Sequence, residues 1–265
     1  MIDTHAHLTF PDFQPDRIPG GARGVLDRAA RDGITGIISI STTVPDALNA
    51  RAIAHAHDRV WFSAGVHPLY ADKGPHDWPL LAALAADPRC VAWGELGLDH
   101  HYADPPLAQQ ESVLDEHLAL IESCDARGLV RPVVIHCREA YADLIARLRR
   151  SSIAPERFVF HCFTGTPDDM RLLLDFGAHV SFTGVLTYRN APQVRDAARL
   201  VPDDRFMIET DAPYLSPEPH RGERPCHPWM ASVTARTLAQ VRGVPFDTFR
   251  DQINATTQRF FGVTP

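Results

Sequence analysis

The sequence predicts an α/β protein of the (β/α)8 TIM-barrel type, one domain over residues 1–265. Three observations predict it. Eight short apolar runs rich in β-branched residues alternate with helical stretches. Metal-binding side chains recur where those runs end. The turn after the first run reads His-Ala-His-Leu-Thr-Phe-Pro-Asp rather than the Gly-rich fingerprint of an open dinucleotide-binding sheet.

The runs fall at 1–5, 36–40, 60–66, 91–95, 132–136, 157–161, 179–182 and 205–209. Helical patterns lie between and after them, among them 44–57, 107–127, 141–150, 167–176, 191–200, 228–242 and 245–261. A helix after each strand returns the chain to the same edge, so neighbouring strands pair in parallel. Eight of them favour a closed barrel, and 265 residues is an ordinary length for one.

Composition narrows the function. The formal charge of -7 is the wrong sign for a broad face that grips duplex DNA, though it leaves room for a narrow cleft that takes a strand end. The start at Met1-Ile2-Asp3 has neither a basic nor an apolar leader region, and no apolar run nears eighteen residues. The expectation is a cytoplasmic protein without a membrane segment. Cys90, Cys124, Cys137, Cys162 and Cys226 are odd in number, scattered and without a CxxC pair, which predicts reduced thiols used as packing. Strand alternation after His136 and His161 is expected to turn Cys137 and Cys162 away from any site.

The fourteen histidines gain meaning from placement. Barrel enzymes carry their chemistry at the C-terminal ends of the strands. Those ends hold His5 and His7, Ser41, His67, Glu95, His136, His161, Thr183 and Asp211. Four histidines and two carboxylates on one rim (His5, His7, His136, His161, Glu95, Asp211) suit a pair of divalent ions. His-Ala-His occurs twice. Residues i and i+2 share a face on a strand, so His5 and His7 can chelate one ion. In the helical pattern around His55 and His57 the same spacing sends the rings about 200° apart, so that pair is not expected to bind. Glu209 shares the parity of Asp211 and is read as its support.

Six ordered segments together resemble the TatD family of metal-dependent deoxyribonucleases, within the amidohydrolase-like barrels. They are Ile-Asp-Thr-His-Ala-His-Leu (2–8), Gly-Val-His-Pro-Leu (65–69), Gly-Glu-Leu-Gly-Leu-Asp (94–99), His-Cys-Arg-Glu-Ala (136–140), His-Cys-Phe-Thr-Gly (161–165) and Glu-Thr-Asp-Ala-Pro-Tyr-Leu (209–215). The resemblance implies one ion on His5, His7, Glu95 and Asp211, and a second on Glu95, His136 and His161 with Glu95 bridging. It implies Mg or Mn in function, while the imidazole and carboxylate donors themselves also suit Zn, Fe or Ni as the bound metal. The implied reaction is hydrolysis of phosphodiesters from a 3′ end of single-stranded DNA, so the implied partner is nucleic acid. Two departures stand out: His100 and His101 where the family commonly has an aromatic, and 220–228, which keeps Arg221 and Gly222 but lacks the family's Asn. His100 and His101 are read as a solvated loop.

In that reading Asp211 and Glu95 are catalytic, with Asp211 accepting the proton of the attacking water. Arg138 and Arg221 are expected to clamp phosphate, His67 to orient substrate and Tyr214 or Phe163 to stack a base. The competing reading is an ester or amide hydrolase on the same barrel, such as a D-aminoacyl-tRNA deacylase, because fold does not fix chemistry.

Overall fold

The computed structural model describes residues 1–264. Eight strands, β1 (Ile2–Ala6), β2 (Gly36–Ser39), β3 (Val60–Ala64), β4 (Cys90–Asp99), β5 (Val133–Arg138), β6 (Phe158–Phe160), β7 (His179–Phe182) and β8 (Phe206–Ile208), form one sheet in sequence order. Every adjacent pair from β1/β2 to β7/β8 is parallel. The helices α1 (Gly21–Arg31), α2 (Val44–Ala56), α3 (Trp78–Ala85), α4 (Leu107–Asp125), α5 (Tyr141–Leu148), α6 (Pro167–Phe176), α7 (Pro192–Ala198), α8 (Ala231–Arg242) and α9 (Phe246–Phe261) cover the outside. This is the expected TIM-type barrel.

The ring is nearly closed, and its seam lies between β1 and β8. A single parallel bridge joins Ala6 and Ala212, with the His7 N–H donating to the Ala212 carbonyl at 2.8 Å and the Asp211 N–H to that of His5 at 2.9 Å. Side chains take over where the ladder is missing. Buried Asp3 accepts from the Thr210 backbone N–H at 2.9 Å and from its hydroxyl at 2.6 Å. The Thr4 hydroxyl donates to the Ile208 carbonyl at 3.0 Å. The backbone groups a ladder would have paired thus keep partners.

Two apolar layers result. Ile2, Ile38, Ile40, Val91, Ala92, Val134, Val159 and Met207 pack together from successive strands, and Phe261 and Val263 after β8 join the same cluster. The alternate strand positions, for example Ile37, Phe62, Ile135, Phe160 and Phe206, pack outward against the helices. Helix starts at the functional rim are set locally. Thr43 caps α2 by accepting the Asp46 N–H, and Thr166 and Asp169 form a reciprocal capping box on α6. Each such cap contributes about 1 kcal/mol and fixes where the loop before it ends.

The element bounds depart from expectation at informative places. β3 stops at Ala64, short of the expected residue 66, whereas β4 runs on past Glu95 to Asp99. Glycine allows the second. A Cβ at Gly97, whose φ is 151°, would lie 1.9 Å from the His136 carbonyl oxygen, and one at Gly65 would lie 2.3 Å from the Gly94 carbonyl carbon. β3, β4 and β5 therefore approach closely around Glu95, which is what Gly-Glu-Leu-Gly encodes.

Candidate metal centre

Donors from β1, β4 and β5 and from the segments after β3, β6 and β8 meet in one buried cluster. From β1 come His5 and His7, fully and nearly fully buried. The strand shifts register between Asp3 and Ala6, so Ile2 packs in the lower interior while His5, three residues on, also faces the cluster. Inward parity on β5 passes from Val134 to His136, and through β6 from Val159 to His161.

Glu95 is the centre of the arrangement. Its Oε2 lies 3.3 Å from His5 Nε2, and its Oε1 lies 2.7 Å from both His136 Nδ1 and His161 Nε2. The two oxygens of one carboxylate thus face two groups of imidazoles. Asp211 Oδ1 completes the first group at 3.6 Å from His5 Nε2 and 3.4 Å from His7 Nε2. The His5 and His161 rings stack at 3.9 Å between centroids, which joins the groups into one site.

Outer partners fix which nitrogen of each ring is free. His7 Nδ1 lies 3.1 Å from the Ile40 carbonyl, an acceptor only, so its N–H points there and the Nε2 lone pair points inward. Asp99 Oδ2 lies 3.0 Å from His136 Nε2, and Glu209 Oε1 lies 3.3 Å from His161 Nδ1. Carboxylates that take the outer N–H leave the inner nitrogen as a ligand and raise its basicity. Glu209 is itself held by the Cys162 N–H at 2.7 Å and the Ser181 hydroxyl at 2.6 Å.

His67 is built the other way round. Its Nδ1 accepts the Leu69 N–H at 3.0 Å, and burial pushes its pKa down to about 4, so the ring is neutral with its proton on Nε2. That Nε2 lies 3.1 Å from His136 Nδ1 and 3.4 Å from Glu95 Oε1. His67, Glu95 and His136 are close enough to surround a cation. With its lone pair used by Leu69, however, His67 enters the cluster as a donor and not as a ligand.

The donor set fits a divalent cation. Both ring nitrogens of buried His5 lack a hydrogen-bond partner, although a polar atom hidden from water normally has one. Among the described residues, the ion pairs of Glu95, Asp99, Glu209 and Asp211 are all with histidine, never with Lys or Arg. Burial would lower the pKa of His161, but the charges of Glu95 and Glu209 outweigh it and hold the ring well above the ordinary value. The same balance holds Glu95 well below its ordinary value, with His161 opposing the effect of burial most strongly. Such a site attracts positive charge, and a bound cation would displace the ring protons. His5, His7 and Asp211 form one group able to hold an ion, and His5, His161 and Glu209 another.

Backbone geometry marks the same rim. Glu139, Cys162, Asp211 and Leu215 are the four non-glycine residues with positive φ among those described, at 58°, 48°, 62° and 60°. Asp211 is itself a donor of the cluster and Cys162 directly follows another, His161, so strained backbone aims side chains at this rim.

The family profile described as TatD related DNase matches residues 2–262. The chain belongs to that family. It is a metal-dependent hydrolase with the TatD fold. It is similar to YcfH of Escherichia coli K12, named an uncharacterized metal-dependent hydrolase: 37% identity over 260 residues, covering 98% of this chain and 94% of that protein. It is 34% identical over 269 residues to a protein of Pantoea ananatis named 3′-5′ ssDNA/RNA exonuclease TatD, covering 99% and 100% of the two chains. Among solved structures, YjjV, a TatD homologue of Escherichia coli, superposes with a TM-score of 0.89 at 29% identity, covering 99% of this chain and 98% of that one.

The remaining sequence expectations divide. His55 does not join His57 on a common ligand: it pairs with Asp87 at 2.9 Å, while His57 caps the end of α2. His101 pairs with Glu139 at 3.1 Å in solvent as expected, whereas His100 is only partly exposed, 4.0 Å from Asp143, with its Nε2 buried and without a hydrogen-bond partner. Arg138 stacks over Tyr102 at 5.6 Å. Arg221 is engaged away from the cluster, 4.0 Å over the Tyr188 ring and 3.8 Å from Glu218. Phe163 is buried in the outer core and offers no face to a ligand, which corrects its reading as a stacking platform. Cys137 packs outward as expected, but Cys162 does not follow alternation. Its left-handed backbone brings Sγ to 3.4 Å from the Thr183 hydroxyl, where the charges of Asp211 and Glu209 add to burial in raising its pKa. Sequence reasoning missed Asp99. The available signal was parity, since Asp99 lies four residues after Glu95 on the same strand face.

Proposed function

We propose that this TatD-family hydrolase is a deoxyribonuclease that removes nucleotides from the 3′ end of single-stranded DNA, with two divalent cations, Mg or Mn, as its cofactors. The observation that carries the reading is Glu95, whose two oxygens face separate imidazole groups and so match a bridging carboxylate. His5, His7 and Asp211 would hold one cation with Glu95, and His136 and His161 the other. Bound there, divalent ions supply Lewis acidity toward a phosphoryl oxygen and make a water acidic enough to act near neutrality. The relative from Pantoea named as an exonuclease supports the substrate class.

The protein's own residues do the rest. Asp211 is the proton acceptor, because its side chain keeps 16% exposure whereas that of Glu95 keeps 2% and those of Asp99 and Glu209 keep 1% each. Only a carboxylate open to the cleft can take a proton from water and pass it to solvent. His67 presents Nε2–H to the same space, where it can bond an oxygen of the substrate. Asp99 and Glu209 hold the rings of His136 and His161 in orientation. The free thiols suit a reducing compartment, and the cytoplasm is the proposed location.

The test is a substrate panel with protein loaded with Mg, Mn or Zn: 3′- and 5′-labelled single-stranded DNA, RNA, and D-aminoacyl esters. Stepwise loss of a 5′-labelled strand from its 3′ end, stopped by chelation, is the expected result. Intact oligonucleotides alongside rapid ester hydrolysis would overturn the reading.

A further inference from the structure

The chain has thirteen Phe, four Trp and five Tyr. Among the described residues, two of these aromatics are exposed, Tyr102 at 50% and Tyr214 at 47%. Both stand at the mouth of the metal centre. Tyr102 follows β4 by three residues, and its N–H donates to Asp99 Oδ1 at 3.1 Å. Tyr214 is three residues beyond Asp211, and its N–H donates to the Asp211 carbonyl at 2.9 Å. Each exposed ring is therefore tied by its own backbone to a residue whose carboxylate contacts a site histidine.

Each ring also has a backing. The Arg138 guanidinium lies over Tyr102 at 5.6 Å. Phe10 meets Tyr214 edge to face at 6.2 Å and stacks on His7 at 4.7 Å, so the Tyr214 side is continuous with the metal donors. β4 and β8 are four strands apart in an eight-stranded ring, so the two tyrosines stand on opposite sides of the opening. A protein normally tucks such rings away, and a solvent-facing aromatic at a catalytic rim offers a flat apolar face to a flat ligand.

We infer that Tyr102 and Tyr214 are nucleobase platforms that take the bases on either side of the scissile phosphate. The inference rests on the nuclease reading and deepens it to a binding mode: an unstacked single strand, gripped by two bases without regard to sequence. The chain's -7 charge makes this economical, because stacking holds the strand where a broad basic face is lacking.

The test uses the full-length, Mn-loaded protein with Tyr102→Leu, Tyr214→Leu and the matching Phe variants. Substrates are oligonucleotides that are intact or abasic at the terminal or penultimate position. Each Leu variant is expected to raise KM by roughly 5- to 100-fold, the range of one base–aromatic stack, with kcat within about threefold and Mn content unchanged. The Phe variants should restore KM. An abasic site under the affected ring should abolish the difference between Leu variant and parent. Binding of a non-cleavable phosphorothioate strand carrying 2-aminopurine should lose its fluorescence quenching in the same variants. Leu variants that cut intact and abasic strands with the parent's KM would overturn the platforms and leave the nuclease reading standing. A parent protein that cleaves no oligonucleotide but hydrolyses aminoacyl esters would remove both.

Discussion

His-Ala-His stands twice in this chain, at His5–His7 and at His55–His57, with opposite outcomes. On β1 both rings reach one buried cluster, and their Nε2 atoms lie 3.6 and 3.4 Å from the same Asp211 oxygen. On α2 the rings part. His55 is half-exposed against Asp87 on the surface, and His57 ends the helix in an extended conformation. The tripeptide carries no chemistry of its own; the period of the element does. The same contrast extends to the other histidines. His136 within β5 and His161 just beyond β6 gain carboxylate partners, whereas His117 on α4 is buried with neither ring nitrogen bonded.

Removing the His5/His7 pair has the largest expected effect. His5→Ala/His7→Ala should lose divalent metal at that side and reduce turnover by about 10³-fold or more, since several kcal/mol of charge stabilisation are at stake at 1.36 kcal/mol per decade. Metal analysis of the purified protein together with rate measurement checks this. Near-parental metal content would undo the assignment of β1.

Next come the two carboxylates. Glu95→Gln leaves one neutral oxygen and an amide nitrogen that is no ligand, so both ions should weaken together. Asp211→Asn should keep bound metal when Mn is in excess yet lose about 10²–10⁴ in rate, the size of a general-base contribution. Mn titrations read by activity separate them. If excess Mn fully restores Asp211→Asn, that residue is a ligand without a proton role.

His117 gives a smaller effect with a defined sign. Burial pushes its pKa down to about 3, while an unfolded histidine titrates near its ordinary value. The unfolded chain therefore takes up a proton that the folded one refuses, and stability falls as pH drops below about 6.5 toward 3. Urea melts of the parent should lose about 1.6 kcal/mol more than His117→Leu between pH 6.5 and 5. Equal losses in both proteins would mean that His117 finds a proton partner in the fold.

Removing the α2 pair has the smallest expected effect. His55→Ala/His57→Ala should leave metal content and turnover at parental values and cost at most about 1 kcal/mol, as expected for a surface pair. Loss of metal in this variant would reverse the assignment of the two motifs.

The barrel and its donor rim were legible because the pattern repeats. A β-branched run ending in His or an acid recurs around the ring, and no single instance had to be trusted. What escaped has local causes. Asp99 lay beyond the strand expected at 91–95, whereas β4 runs on to Asp99 because Gly94 and Gly97 let it approach its neighbours closely. Cys162 defied alternation because one left-handed residue resets the facing of everything after it. α1 opens with Gly21 and carries Gly24, so its propensity is poor, and its amphipathic face against the barrel holds it. His67 was expected to orient substrate, but the tautomer that makes it a donor depends on the Leu69 N–H, a contact no spacing rule reveals.

The residues after β8 have a consequence for how the molecule is made. Phe261 and Val263 pack in one cluster with Ile2 of β1 and Met207 of β8. On the ribosome, all eight strands emerge before the two side chains that finish the barrel floor. At elongation rates of about 5–20 residues per second, the fifty-odd residues from β8 to Val263 take several seconds to appear. Through that interval Ile2, Met207 and their neighbours, at the end opposite the chemistry, lack the two side chains that cover them in the finished fold.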